Sequence, residues 1–140
     1  MKLSVRSIYG VRFMLGLAQN INNGPMQLSS LSKTKNISEK YLSQIVIPLR
    51  HANLITSTRG AKGGYILSKP PEKITVKEIV ECLEGDLNIV DIQEHKNEDY
   101  SIELVWKDLN NNIQETLGKY TLLDLINIEM KKKNELIYVI

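Results

Sequence analysis

Two short segments of the chain carry side chains that suit contact with a phosphate backbone and with base edges. The first combines Ser38, Lys40, Tyr41 and Gln44 where a helix is predicted to begin. A helix start offers free N–H groups to a phosphate, and a glutamine amide can make paired hydrogen bonds to adenine. The second is Arg59-Gly60-Ala61-Lys62-Gly63, in which glycines let the backbone approach a groove while a guanidinium reaches into it. Both segments predict non-covalent binding of nucleic acid.

The charge of the chain is divided in the same sense. Residues 1–69 carry ten Lys or Arg and one acid, Glu39, which gives a net charge of +9. Residues 70–140 carry eight bases and fifteen acids, a net charge of −7, so the halves sum to the +2 of the 140-residue chain. A basic half predicts a polyanionic partner. The basic residues are scattered over several elements, which disfavours a membrane-surface helix.

Other chemistries are poorly represented. The segment Gly60–Gly64 lacks the lysine spacing and the following helix of a phosphate-binding loop. His51 and His95 lack the spacing of metal ligands, and Cys82 has no thiol partner in the chain. No nucleophile with a base emerges. We therefore expect no enzyme activity, no cofactor and no metal, and we expect Cys82 to be a small core residue.

The bulk composition is that of a globular protein. Hydrophobic residues make up 42% of the chain and charged residues 24%. No apolar run approaches the ~20 residues that cross a bilayer, and the first residues do not resemble a signal peptide. The expected location is the cytoplasm, with no membrane partner.

The elements predicted for the basic half are three helices and a hairpin. Ser4 caps a helix that runs to about Gln19, a second helix covers residues 27–35, and Ser38 caps a third. The run Ile45–Pro48 is ambiguous, because its residues favour a strand, but the cap and apolar spacing favour a helix. The segments 54–58 and 64–68 form a hairpin with Arg59–Gly63 at its tip. This is the element order of a winged helix-turn-helix, in a mainly α protein with a small β-hairpin wing.

The acidic half is predicted to be helical. Thr75 and Glu78 form a capping box for a helix that Gly85 ends, and residues 86–97 form a loop. The longest helix covers residues 101–117, with an apolar stripe that includes Trp106 as core or dimer seam. A further helix runs from Thr121 to about Met130, and residues 136–140 favour a strand. We divide the chain at residue 70, into a DNA-binding region (1–70) and dimerisation and regulatory helices (71–140).

Four segments resemble the winged-helix regulators typified by the iron–sulfur sensor IscR and the cysteine-metabolism repressor CymR, and the resemblance covers essentially all of the chain. The segments are residues 6–12, 37–50, 54–67 and 74–85, and the hairpin R-G-x-x-G-G-Y is the most specific. The resemblance implies a homodimer that pairs through the helix 101–117 and binds a roughly palindromic operator. It also implies DNA-contacting positions: Ser38, Lys40, Tyr41 and Gln44 on the recognition helix, Arg59 and Gly60 on the wing, and Ser4 and Arg6 on phosphates.

Two departures from the family pattern refine this expectation. Ser43 stands where IscR-like members often have an acid that discriminates between sites. Cluster-binding members have three cysteines in the loop after the fourth helix, whereas residues 85–97 here contain none. With the closing Tyr138–Ile140, this favours the cluster-free, CymR-like branch.

That branch implies a repressor of sulfur-amino-acid genes that works with O-acetylserine thiol-lyase, the cysteine-synthesising enzyme. The alternatives are a protein-interaction module that regulates that enzyme, and a regulator of the same family that senses redox state or another ligand.

Overall fold

The computed structural model describes residues 2–96 and 99–139, with side chains through Ile137. Its helices and strands follow in the order α1 (Val5–Gln19), α2 (Leu28–Lys35), α3 (Glu39–His51), β1 (Ile55–Thr58), β2 (Gly64–Leu67), α4 (Val76–Glu84), α5 (Tyr100–Lys119) and α6 (Leu122–Val139). Short 3-10 turns cover Ile21–Asn23 and Pro71–Lys73. The predicted fold class, mainly helical with a two-stranded wing, is confirmed.

The helix starts are set by the side chains that the sequence indicates. Ser4 and Ser38 accept the backbone N–H groups of Ser7 and Tyr41 at 3.2 and 3.0 Å. At α4 the capping box is complete, since Thr75 accepts the Glu78 N–H and the Glu78 carboxylate accepts the Thr75 N–H. Each cap satisfies donors that the helix itself cannot.

The ambiguous run in α3 is helical, as predicted. Leu42, Ile45, Val46 and Leu49 are buried on its inner face. Burial of this face outweighs both the strand propensity of the run and the backbone hydrogen bond that Pro48 cannot donate.

The core joins the two halves of the sequence. Phe13 and Met14 of α1 are fully buried together with residues of α2, α3, α4 and the start of α6. Ile74, Ile79 and Leu122 belong to the same cluster. The division at residue 70 therefore remains a prediction about which residues bind DNA and which dimerise.

The hairpin is antiparallel, with Ile55 opposite Leu67 and Thr58 opposite Gly64. Tyr65 exchanges backbone hydrogen bonds with Met26 at 3.0 and 2.9 Å, which fastens β2 to the segment before α2. A Cβ at Gly64 would lie 2.6 Å from the Met26 backbone, so only glycine permits this approach. The Tyr65 ring packs edge-on against Phe13 at 6.4 Å, which confirms its predicted packing role.

The prediction for the C-terminal segment is wrong. Helix α6 does not end near Met130 but continues to Val139, and residues 136–139 are helical rather than extended. No glycine or proline interrupts residues 122–139, and the Lys and Glu residues between the two apolar stretches are good helix formers. Ile140 lies outside the described residues. In the described ranges, no helix is long and apolar enough to cross a membrane.

Candidate nucleic-acid interface

The first two turns of α3 present polar side chains to solvent. Lys40 and Gln44 are exposed, and Ser38 is held at the start of the helix by its cap. The Ser43 hydroxyl donates to the Lys40 carbonyl at 2.6 Å and so turns back onto its own helix. An ammonium and a side-chain amide thus project from one end of α3.

Tyr41 behaves differently from its neighbours because it is half-buried. Its ring meets the Tyr9 ring edge-on, with centroids 5.6 Å apart. The Arg12 guanidinium lies 5.6 Å from the centre of the Tyr9 ring and donates to the Lys35 carbonyl at the end of α2. These contacts fix α3 against α1 and α2, so Tyr41 positions the helix whether or not it also touches DNA.

The tip of the hairpin is a compact turn with two exposed cations. Gly60 has φ +105°, a conformation that L residues rarely adopt, and its carbonyl accepts the Gly63 N–H at 2.9 Å. Arg59 and Lys62 are exposed on either side of Gly60. Lys62 and Gly63 also border an open groove of about 480 Å³ with Gln27 and Ser30 of the α2 start. The wing tip and the helix-turn-helix therefore share a surface.

The candidate cations are free of carboxylates. Among residues 2–96 and 99–139, none of Arg6, Lys40, Arg59 and Lys62 forms an ion pair. In the acidic half, by contrast, Lys77 pairs with Glu81 at 3.7 Å and Lys107 with Glu103 at 2.9 Å. Unpaired cations on one side of the molecule can neutralise phosphates without first breaking internal pairs.

The start of α1 is tied to the end of α4. Glu84 Oε1 accepts the Ser4 backbone N–H at 2.6 Å and the Ser7 hydroxyl at 2.8 Å. These hydrogen bonds, chiefly those from Ser4, lower the pKa of the Glu84 carboxyl. Sequence reasoning missed this contact because the partners are 80 residues apart. Ser7, a polar residue within the inner face of α1, is the one signal that could have indicated it.

Arg6 is exposed in the first turn of α1, three residues before Tyr9. Residues three apart on a helix are neighbours on one face, about 4.5 Å apart along its axis. Since Tyr9 contacts Tyr41 at the start of α3, the starts of α1 and α3 lie on neighbouring parts of the surface.

The loop between α4 and α5 is fastened by an asparagine that the sequence analysis did not single out. Asn110 is buried, its Oδ1 accepts the N–H groups of Ile89 and Val90 at 2.9 and 3.2 Å, and its Nδ2 donates to the Val90 carbonyl. Gln114 Nε2 donates to Asn88 Oδ1 at 2.8 Å. A polar residue at position 110, four residues after Trp106 and three before Ile113, was the available signal.

Cys82 is half-buried on α4, and its thiol donates to the Pro48 carbonyl at 3.3 Å. Burial raises the pKa of the thiol, and the positive charge of Arg6 opposes that rise. Within the described part of the chain, no three His, Cys, Asp or Glu residues are grouped so that they could hold a metal ion.

Comparisons with known proteins agree with this architecture. Residues 3–128 match the Rrf2 family, described as iron-dependent transcriptional regulators. The HTH-type transcriptional regulator CymR of Bacillus subtilis is 40% identical over 125 residues, which are 89% of each chain.

Two solved structures are also similar. CymR, described as the global cysteine regulator of B. subtilis, superposes with a TM-score of 0.84 at 38% identity, over 91% of this chain and 98% of CymR. T. potens IscR superposes with a TM-score of 0.78 at 36% identity, over 92% of this chain and 88% of IscR. The resemblance predicted from the sequence motifs is confirmed.

Proposed function

Because this chain belongs to the Rrf2 family of transcriptional regulators, we propose that it is a homodimeric, cytoplasmic repressor of sulfur and cysteine metabolism genes that works without an iron–sulfur cluster. The family supplies the coarser statement, a transcriptional regulator with a DNA-binding winged helix. Its relatives are named as regulators, in agreement with the prediction that the chain is not an enzyme.

The DNA-binding mode is supported by the unpaired cations of the α3 start and the wing tip. In this proposal the first turns of α3 enter the major groove with Ser38, Lys40, Tyr41 and Gln44, and the wing tip places Arg59, Gly60 and Lys62 in the neighbouring minor groove. Ser4 and Arg6 contact phosphates. A dimer neutralises about 6–10 phosphates, so affinity falls steeply with salt.

Dimerisation is supported by the apolar residues that α5 leaves uncovered. Ile102 is 40% exposed, Leu104 47% and Val105 56%. Three such residues within one turn of a long helix form a patch of the kind that marks an association site. A second copy paired through α5 relates two winged helices by a two-fold axis, which matches a palindromic operator.

The cluster-free state is supported by the loop after α4. Described residues 85–96 contain no cysteine, and Asn110 fastens the loop to α5 through its backbone. Cys82 alone offers too few thiolates for a cluster. Visible charge-transfer absorption in anaerobically purified protein would contradict this part of the proposal.

The sulfur-metabolism branch is supported by the similarity to B. subtilis CymR, which is described as a cysteine regulator. We propose O-acetylserine thiol-lyase as the protein partner. Operator affinity should rise when that enzyme is added and return when O-acetylserine is added. Unchanged affinity would count against the branch while leaving DNA binding intact.

Gel shifts on the promoter of the protein's own gene test the DNA-binding mode. Arg59→Ala should weaken binding by about 1–3 kcal/mol, and the wild type should lose affinity between two salt concentrations. Lys131→Ala, which removes an exposed cation of α6, is the matched control and should bind like the wild type. Equal binding by the wild type and Arg59→Ala at both salt concentrations would contradict the wing assignment.

A further inference from the structure

A cavity of about 500 Å³ lies where the start of α1, the end of α4, the following loop and the second half of α5 meet. Its walls are mainly apolar, with Leu3, Leu87, Ile113 and Leu117 among the lining residues. Small-molecule sites have volumes of about 300–1,000 Å³ and combine apolar walls with a few polar groups. The cavity has the size and character of such a site.

The charged groups of the lining define the ligand chemistry. Lys2 contributes an ammonium, and Glu84 and Asp86 contribute carboxylates. Asp86 is held in the loop because its Oδ1 accepts the Asn88 N–H at 3.0 Å. A complementary ligand has a positive group for the two carboxylates, a negative group for Lys2 and an apolar body for the walls.

We propose that the cavity binds a free α-amino acid with an uncharged, apolar side chain, and that this binding weakens the grip on operator DNA. The ligand ammonium meets Asp86 and Glu84, its carboxylate meets Lys2, and its side chain lies against Leu87 and Ile113.

The link to DNA passes through Glu84, and it rests on the proposed function because it assumes that Ser4 and Arg6 touch phosphates. Glu84 holds the start of α1 through the Ser4 N–H and the Ser7 hydroxyl. An ammonium that draws on the same carboxylate competes with these donors and loosens the turn that carries Ser4 and Arg6. By linkage, the operator must lower the affinity for the amino acid by the same factor.

Calorimetric titration of the full-length protein with L-leucine and L-methionine tests the site. N-acetyl-leucine, which lacks the ammonium, and leucinamide, which lacks the carboxylate, are matched ligand controls. We expect the free amino acids to bind and both derivatives to bind at least about tenfold more weakly. No heat of binding from either amino acid at about 10 mM, roughly tenfold above a millimolar Kd, or equal binding of the derivatives, would overturn the site.

Two variants locate the binding. Asp86→Asn keeps the oxygen that accepts the Asn88 N–H but removes the charge, and it should weaken amino-acid binding by about tenfold. Glu81→Gln changes an exposed acid of α4 that does not line the cavity, and it should bind like the wild type. Equal affinity of Asp86→Asn and wild type would place the ligand elsewhere and overturn the assignment.

Operator affinity measured with and without saturating L-leucine separates this inference from the proposed function. A lower operator affinity in the presence of the amino acid supports the coupling, and an unchanged one overturns it. Failure of the protein to bind any operator would overturn the proposed function, while the calorimetric result would still decide whether the cavity is a site.

Discussion

Helices α1 and α3 both begin at a capping serine on the proposed DNA-facing side, but they are held in different ways. The start of α3 is fixed locally, by the Ser38 cap and by the packing of Tyr41 on Tyr9. The start of α1 has a similar cap from Ser4 and, in addition, the Glu84 carboxylate from the end of α4.

This difference separates reading DNA from controlling the reading. The α3 surface depends on residues that are close in sequence, within the basic half. The α1 surface depends on an acid from the other half, next to the α4–α5 loop. Any signal that changes this loop can therefore reach Ser4 and Arg6 without disturbing the recognition helix.

The largest effect should come from the α3 surface. Gln44→Ala should cost about 1–3 kcal/mol of operator binding and relax specificity at one base pair, without loss of thermal stability, because Gln44 is exposed. Ser43→Ala is the neighbouring control, since that hydroxyl is turned onto the Lys40 carbonyl. Fluorescence anisotropy with single-base operator variants measures both. Equal losses from the two substitutions would mean that α3 is not read residue by residue.

Removing either cap should reduce stability rather than recognition alone. Ser38→Ala and Ser4→Ala should each cost about 1 kcal/mol of folding free energy, and the melting temperature should fall by roughly 2–8 °C. Since Glu84 still holds the Ser4 N–H after Ser4→Ala, we expect the smaller loss at α1. Calorimetry at matched protein concentration compares the two. A larger loss at Ser4 would reverse the proposed order.

Glu84→Gln should affect α1 with a definite pH dependence. The carboxyl has its pKa lowered by Ser4 and Ser7, so its stabilising effect is present above the usual value of 4.5 and is lost as the pH falls through the lower folded value. The variant should therefore melt below the wild type at pH 7, and the difference should shrink on acidification. Glu81→Gln should show a much flatter difference. A gap that widens in acid would contradict the role of Glu84.

The smallest effect concerns Cys82, which packs at the same α1–α4 junction. Because burial raises the pKa of its thiol, Cys82 should react with iodoacetamide more slowly than a small free thiol at pH 8. Arg6→Gln removes a charge that favours the thiolate and should slow the reaction further. Mass spectrometry of timed samples gives the rates. Faster labelling of the variant would show that Arg6 shields Cys82 rather than favouring its thiolate.

What the sequence could predict follows the range of the interactions. The caps at Ser4, Ser38 and Thr75 depend on residues three positions away, and they were predicted correctly together with the wing. The run at Ile45–Pro48 was ambiguous locally, and the burial of the α3 face decides it. For the C-terminal end of α6, the β-branched residues pointed to a strand, yet the uninterrupted helix formers before them continue the helix.

The contacts of Glu84 and Asn110 were not predictable from local pattern. Glu84 meets residues 80 and 77 positions away, and Asn110 meets a loop about 20 residues earlier. Both are polar residues whose partners only the fold brings near. Sequence reasoning thus indicated the residues that face DNA, but not those that connect the two halves.

Hydrogen exchange of the operator complex, followed by mass spectrometry, tests the central claim most directly. DNA should slow exchange in peptides that contain the first turns of α3 and the wing tip, residues 38–44 and 58–64, and leave residues 107–115 of α5 unchanged. Protection confined to α5 and α6, with none at the α3 start or the wing, would contradict the account.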